Sequence, residues 1–460
     1  MARAKKEAAL TPKERLQAAL VPDWEWPYKL PENWCWTRIT VITDILNGFA
    51  FKSQHYSSAG IRIIRITNVQ DGFIQDKKPV YYPLESQKEI TPFMLKDGDF
   101  LMSLTGNVGR VAIIDASFLP AALNQRVACL RIKSEDSVRK EYIFYFCLQK
   151  QFVSDCIKSA KGSAQLNMST EWLKEYPIPL PPLAEQQRIV DRIESLFARL
   201  DEAKEKAQAV VDSFETRKAA ILHKAFTGEL TAKWREEHGV GMESWGTREL
   251  AECFEIVSGI QKTPARSPKD NPVPYLTVAN VYRGRIDLSD IRYFEVTSKE
   301  IEKLKLQDKD ILIVEGNGSG NEIGRCAIWH NELPLCIHQN HIIRMRRKTA
   351  DILPEYALHY LNSEAGKSIM RERSKTTAGL FNLSAGKIKT IPLPMASLDE
   401  QSEMIHLIDS LLEKEQQAKE VAEAVLEQID LMKKSILARA FRGELGTNDP
   451  SEESAVELLR

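Results

Sequence analysis

Residues 178–235 read IPLPPLAEQQRIVDRIESLF…ILHKAFTGELTAKWR, and residues 391–449 read IPLPMASLDEQSEMIHLIDSLL…ILARAFRGELGTND. From Leu183 to Leu230 the second copy lies 215 positions later without a gap, and 20 of the 48 pairs are identical. A period this long is not that of a solenoid and points to a duplicated domain-plus-helix unit. The expected molecule is pseudo-two-fold symmetric, and such a protein matches a partner with two related halves, of which duplex DNA is the best-known example.

The repeated segment is strongly helical. In the first copy Ile189, Ile193, Leu196, Leu200, Ala203, Ala207, Val210, Phe214 and Ile221 follow 4-3-4-3 spacing. In the second, Met404, Ile408, Leu411, Ala418, Ala422, Val425, Ile429, Met432 and Ile436 do the same. That is a coiled-coil seam, and the two helices are each other's natural partners. The alanines imply close backbone approach, whereas Arg217 and Glu415 fall on the seam and weaken it. A 43-residue helix is about 64 Å long, so an antiparallel pair carries one globular domain near each end. A dimerisation arm for copies of the chain is the alternative.

The segments outside the helices are related more loosely. Trp34…Gly48 pairs with Trp245…Gly259, Asn68-Val69 and Gly72 with Asn280-Val281 and Gly284, LKDGDFLM (95–102) with LQDKDILI (306–313), and Gly109-Arg110 with Gly324-Arg325. Between these anchors the residues differ, as in two copies of one fold that recognise different things. Short β-branched runs punctuated by Gly, Asn and Asp predict strands at 61–66, 110–114, 127–132, 310–314 and 341–345. Residues 141–159 and 354–373 each read as a helix near the end of a mostly β domain, giving an α+β class. IPLPP (178–182) and IPLP (391–394) read as extended entries to the next element. The domains expected are an N-terminal segment (1–32), a first globular domain (33–182), a central helix and linker (183–243), a second globular domain (244–397), a C-terminal helix (398–446) and an acidic tail (447–460).

Composition narrows the class. The chain has 460 residues, 43% hydrophobic and 28% charged, with net charge −1. That suffices for two or three domains and is not a uniformly basic DNA coat. Residues 32–176 carry 18 Lys+Arg against 15 Asp+Glu, residues 244–394 carry 22 against 18, and residues 395–460 carry 7 against 15. The globular segments suit a polyanion and the acidic end a protein surface. No apolar run reaches the roughly 18–20 residues of a membrane span. MARAKKEAALTPKERL is basic without a signal-type apolar core, and Thr11–Glu14 reads as a capping box opening a short helix. Seven scattered cysteines, none in a CxxC pair, fit a reducing cytoplasm and small core residues.

The chemistry of an active site is missing. GNGSGNEIG (316–324) is neither a phosphate-binding loop nor a dinucleotide fingerprint and reads as a turn. The eight histidines show no ligand spacing, and there is no nucleophile elbow and no Asn- or Asp-Pro-Pro-aromatic tetrapeptide for holding a flipped base. The expectation is a protein without catalytic residues, metal or cofactor.

The order IPLPPLAEQQRIV, long helix, ILxxAFTGELT, occurring twice around variable domains that open with Trp, resembles the specificity subunit of Type I restriction-modification enzymes; so does the tail GELGTNDPSEESAVELL. The resemblance spans nearly the whole chain. It implies two target-recognition domains, each reading one half of a bipartite double-stranded DNA target, with two helices as a spacer. It also implies a non-catalytic subunit that recruits two adenine-methyltransferase subunits and then translocase–endonuclease subunits, in defence against foreign DNA. A coiled-coil scaffold bridging two proteins without reading DNA is the alternative.

Sequence is read by Arg, Lys, Asn and Gln on base edges. In the first domain the loop candidates are Lys52, Arg65, Asn68, Thr105, Asn107, Arg110, Asn124, Gln125, Arg126, Lys161, Ser163 and Asn167. In the second they are Lys262, Asn280, Asn317, Ser319, Asn321, Arg325, Gln339, Asn340, His341, Lys375, Thr377 and Asn382. The aligned pairs Asn68/Asn280, Arg110/Arg325 and Asn167/Asn382 read as scaffold or phosphate contacts. Gln125–Arg126 and Asn340–His341 flank a Gln pair taken as common to both copies, and are the better candidates for specificity.

Overall fold

The structure, a computed structural model, describes residues 11–460 apart from 163–164, 317–321, 376–381 and the side chain of Gln87. Two compact units divide the chain: residues 1–206 with 424–460, and residues 207–423.

In unit 1 a four-stranded antiparallel sheet runs in the order Thr43–Asn47, Val127–Ile132, Phe100–Ser103, Val111–Ile113. A three-stranded sheet sets Ile61–Ile64 between Tyr81–Tyr82, antiparallel, and Ala121–Leu123, parallel. Unit 2 repeats the plan. Its four strands are Phe254–Ser258, Ile342–Arg347, Ile311–Val314 and Cys326–Ile328, and its three are Arg292–Glu295, Pro272–Leu276 and Ile337–His338. Inner strands such as Phe100–Ser103 and Ile311–Val314 are buried on both faces and read as short continuous apolar runs, whereas Thr43–Asn47, Phe254–Ser258 and Arg292–Glu295 expose part of one face. Each frame is tied by one buried acid. Asp99 holds Arg131 and Asp310 holds Arg346, both through Nε at 2.8 Å.

The proline-rich entries are strands rather than connections. Pro177–Leu180 pairs antiparallel with Cys35–Arg38, and Pro392–Met395 with Gly246–Glu249. Prolines at alternate positions cost nothing there, because the backbone at those positions faces away from the ladder. At the Trp36–Pro179 pair, the Trp36 carbonyl accepts from Val21 N (3.0 Å) and the Pro179 carbonyl from the Tyr142 hydroxyl (2.8 Å). Tyr356 makes the equivalent bond to the Pro394 carbonyl at 3.1 Å.

The helices predicted at 141–159 and 354–373 are each two: Lys140–Cys147 with Lys150–Ser159, and Pro354–Asn362 with Glu364–Ser374. In unit 2 the corner is capped by Ser363, whose hydroxyl accepts from Gly366 N. A Cβ on Gly366 would lie 2.2 Å from the Tyr360 carbonyl oxygen, so only glycine permits the sharp turn.

The repeated helices differ. The C-terminal one is a single helix, Leu398–Ala440, whereas the central one is interrupted at Ser213 between Leu183–Asp212 and Phe214–Phe226. The Ser213 hydroxyl donates back to the Ala209 carbonyl and accepts from Arg217 Nη1, a local competition that bends helices. Within each unit the two helices pair antiparallel: Asp201–Lys433 and Lys204–Asp430 in unit 1, Arg217–Glu415 and Phe214–Lys419 in unit 2. Arg217 and Glu415 therefore do not simply interrupt the seam. They pair with each other, Nε to Oε2 at 2.5 Å. The first seam is covered as its spacing predicts. The second is not, because Ala418, Val425 and Met432 are exposed and Lys419, Leu426 and Lys433 take their places. Alkyl stems of lysine cover the partner helix while the ammonium reaches an acid or a ring.

Thr11 and Glu14 form a complete capping box on the helix Pro12–Ala19, which buries no side chain. The segment behind it meets the end of the C-terminal helix: the Tyr28 hydroxyl donates to the Phe441 carbonyl (2.9 Å), and Arg442 lies over the Tyr28 ring. The acidic tail is bound to its own chain. Asn33 Nδ2 donates to the Asp449 carbonyl, Trp34 Nε1 to Asn448 Oδ1, and Ala455 is fully buried. The seven cysteines are buried free thiols, and burial pushes those of Cys35, Cys156, Cys326 and Cys336 up to about 12.

Candidate nucleic-acid interface

Four chain segments of unit 1 meet at one surface. Gln125 N donates to the Phe49 carbonyl (3.0 Å), Leu104 N to the Arg126 carbonyl (2.9 Å), Gly106 N to the Leu166 carbonyl (2.9 Å), and Lys161 and Asn167 exchange backbone bonds of 3.0 and 2.9 Å. This brings together Lys52, Thr105, Asn107, Asn124, Gln125, Arg126, Lys161 and Asn167. Lys52, Asn107, Gln125, Arg126, Lys161 and Asn167 are exposed, whereas Thr105 is buried and donates to Asn167 Oδ1 at 3.0 Å. Asn124 Oδ1 accepts from the backbone N of Arg126 at 3.2 Å, closing the turn.

Unit 2 assembles the same surface. Asn340 N donates to the Ile260 carbonyl (2.9 Å), Glu315 N to the His341 carbonyl (2.9 Å), Leu383 N to the Glu315 carbonyl (2.7 Å) and Asn382 N to the Ser374 carbonyl (2.9 Å). Lys262, Gln339, Asn340, His341, Lys375 and Asn382 gather here, with Lys262, His341, Lys375 and Asn382 exposed. Ser163, Asn317, Ser319, Asn321 and Thr377 lie outside the described residues.

Five candidates are spent elsewhere. Asn68 and Asn280, 3% and 2% exposed, staple a turn in each unit. Asn68 Oδ1 accepts from Arg65 N, and its Nδ2 donates to the Gln75 carbonyl and Asp76. Asn280 Oδ1 accepts from Thr277, and its Nδ2 donates to the Asp287 and Asp290 carbonyls. Neither amide is left for a base edge. Arg65 donates to the Lys78 carbonyl. Arg110 bonds Gln70 and faces Asp71, and Arg325 bonds the Val278 carbonyl and faces Glu322. These arginines brace the same turns.

The turn that carries Arg126 also corrects the alignment. Phe49 bridges Asn124 as Ile260 bridges Gln339, so Asn124 matches Gln339, Gln125 matches Asn340, and Arg126 matches His341. Gln125 and Gln339 are not a common pair. Sequence reasoning missed Glu315, whose Oε2 lies 3.4 Å from His341 Nδ1, and Gln165, whose amide approaches Gly106. Glu315 occupies the place of Leu104, as the aligned runs 95–102 and 306–313 already imply two residues further on, but its contact with His341 depends on the fold. Among the described residues no group of histidine, cysteine and acidic side chains could hold a metal, and no helix is long and apolar enough to cross a membrane.

Comparisons with known proteins agree with this duplicated arrangement. The family model for the Type I restriction modification DNA specificity domain matches twice, at residues 31–211 and 242–426. The chain is 28% identical over 432 residues to the Type I restriction enzyme EcoKI specificity subunit of Escherichia coli, covering 91% of this chain and 90% of that subunit. It is 25% identical over 423 residues to the StySPI specificity subunit of Salmonella potsdam, with 91% and 90% covered. Its fold resembles the HsdS subunit of Thermoanaerobacter tengcongensis (TM-score 0.59, 18% identity, 92% of this chain and 100% of that one). It also resembles a chain solved in work on complex assembly and conformational transition of the type I R-M system (TM-score 0.65, 18% identity, 91% and 100%). Two matched specificity domains, covering most of its length, place this chain in the Type I restriction modification DNA specificity family.

Proposed function

We propose that this chain is the non-catalytic, cytoplasmic recognition subunit of a Type I restriction-modification complex. Each globular domain reads one half of a bipartite duplex target, and the paired helices set the unread gap and dock two methyltransferase subunits, to which translocase–endonuclease subunits are added. The observation that carries this reading is the contrast between frame and surface. The two sheets share their strand orders and the 124–126 and 339–341 turns share four backbone bonds, while the exposed side chains on the matched turns differ. Neutral amides beside a few cations suit base-edge contacts supported by phosphate contacts.

The docking role draws support from the C-terminal helix, where Val425, Leu431 and Met432 are 38%, 56% and 49% exposed. An apolar stripe on a charged helix fits the groove of a partner helix. The test uses the full chain with its methyltransferase subunits on short duplexes. Sequence-specific retention is expected, and replacing residues 33–182 by the corresponding domain of a relative should abolish retention on the original target. Retention indifferent to sequence would favour a protein scaffold instead. Deleting one heptad from each helix removes about 10 Å, or about three base pairs, and should change the gap; an unchanged target length would refute the spacer role.

A further inference from the structure

We propose that Arg126 and His341 are one and the same reading position in the two domains, and that each sets the identity of a base pair in its own half-target. This deepens the recognition role argued above and rests on it. The backbone places the two residues identically. In unit 1 Asn124 N donates to Ile64 O, Gln125 N to Phe49 O, Val127 N to Asn124 O, and the Arg126 carbonyl accepts from Leu104 N. In unit 2 Gln339 N donates to Leu276 O, Asn340 N to Ile260 O, Ile342 N to Gln339 O, and the His341 carbonyl accepts from Glu315 N. Four bonds fix the turn from three sides and leave its third side chain exposed.

Within that frame the chemistry changes at the third residue and behind it. Arg126 stands beside the buried, apolar Leu104, and among the described residues its guanidinium has no carboxylate within 4 Å. A guanidinium fork matches O6 and N7 of guanine in the major groove. His341 has Glu315 3.4 Å from Nδ1, which leaves the ring one nitrogen for a base and no fork. The preceding residues, Gln125 and Asn340, are both primary amides and differ by one methylene, so the third position carries the larger difference.

The experiment methylates a random duplex library with the complete complex of this chain and its methyltransferase subunits, then sequences the methylated products. Arg126→Ala should make one G·C position of one half-target degenerate, with discrimination there falling on the order of 10- to 100-fold and every other position kept. Arg126→Lys should weaken the same position only, and His341→Ala should relax one position of the other half. His341→Arg should bring a guanine preference to that position. Full preference at every position in Arg126→Ala would overturn the proposal, and so would a loss spread evenly over all positions, as from a phosphate contact. A wild-type complex that methylates without any two-part motif would instead sink the recognition role itself.

Discussion

The central and C-terminal helices each bury a glutamate in their first turn, and the two acids are held by different company. Glu400, 1% exposed, accepts from Thr231 Oγ1 (2.7 Å), Arg235 Nη1 (2.6 Å) and Trp245 Nε1 (2.9 Å). Thr231 and Arg235 come from the linker that runs directly from the central helix into the second domain, and Trp245 from the start of that domain. Glu185, fully buried, accepts from Thr447 Oγ1 (2.6 Å) and from Arg188 of its own helix (3.0 Å). Arg188 in turn forks onto Glu452 with two bonds of 2.8 Å. Thr447 is 262 residues away in sequence, so the C-terminal segment does by folding back what the linker does by continuity. The same seat can thus be filled from either side of the chain, provided a Gly-Glu-Leu turn precedes the threonine. The cations differ in burial: Arg235 is 8% exposed and Arg188 is 37% exposed.

That difference in burial ranks the expected effects. Glu400→Ala leaves Arg235 charged, buried and unpaired, and should cost about 3–5 kcal/mol. Glu185→Ala should cost less, about 1–3 kcal/mol, since water and Glu452 still serve Arg188. Burial already pushes the Glu185 carboxyl up against the bonds from Thr447 and Arg188. Denaturant unfolding, with hydrogen exchange read at residues 183–196 and 398–412, measures both. Equal costs would break the contrast.

His338 gives the next effect. It is fully buried where the first domain has Leu123, and burial holds its pKa at about 4. Below about pH 6.5 the unfolded chain takes up a proton that the folded chain refuses until about pH 4. Stability present above pH 6.5 is therefore lost as the pH falls through that window, on the order of 3 kcal/mol. His338→Leu should remove this part of the slope of unfolding midpoint against pH; an unchanged slope would contradict it.

The smallest effect concerns a turn. Gly98 has φ 77°, and its counterpart Lys309 is forced to φ 65°. Lys309→Gly relieves roughly 1 kcal/mol of backbone strain but gives up the pair with Glu355, so a net change within about 0.5 kcal/mol is expected. Gly98→Lys should destabilise by about 1 kcal/mol. Melting curves of the two variants decide whether the turns are as alike as their bonds suggest.

Much of this molecule is legible in its residues, because duplication lets one copy check the other. The strands follow from apolar runs, and the α+β class from their alternation with helices. What stayed hidden depends on side chains chosen by tertiary context. The break at Ser213 comes from a hydroxyl competing for Ala209, and the shifted seam of the second helix from lysines that cover with their stems. The closure by Thr447 needed a contact across 262 positions, although the repeated Gly-Glu-Leu hinted at it. Within the site, the loops were legible and the roles of single residues were not. Asn68 and Asn280 have the right chemistry for a base but are consumed by their own turns. The contact of Glu315 with His341 became visible only when backbone bonds matched Arg126 to His341.

The central claim is that one frame carries two different readers. Adenine-methylation sequencing of DNA from cells carrying this chain with its methyltransferase subunits tests it most directly, in the wild type and with residues 33–182 exchanged for those of a relative. The account predicts a two-part motif in which the exchange rewrites one half and leaves the other half and the gap untouched. A single continuous motif, or an exchange that rewrites both halves or neither, would contradict it.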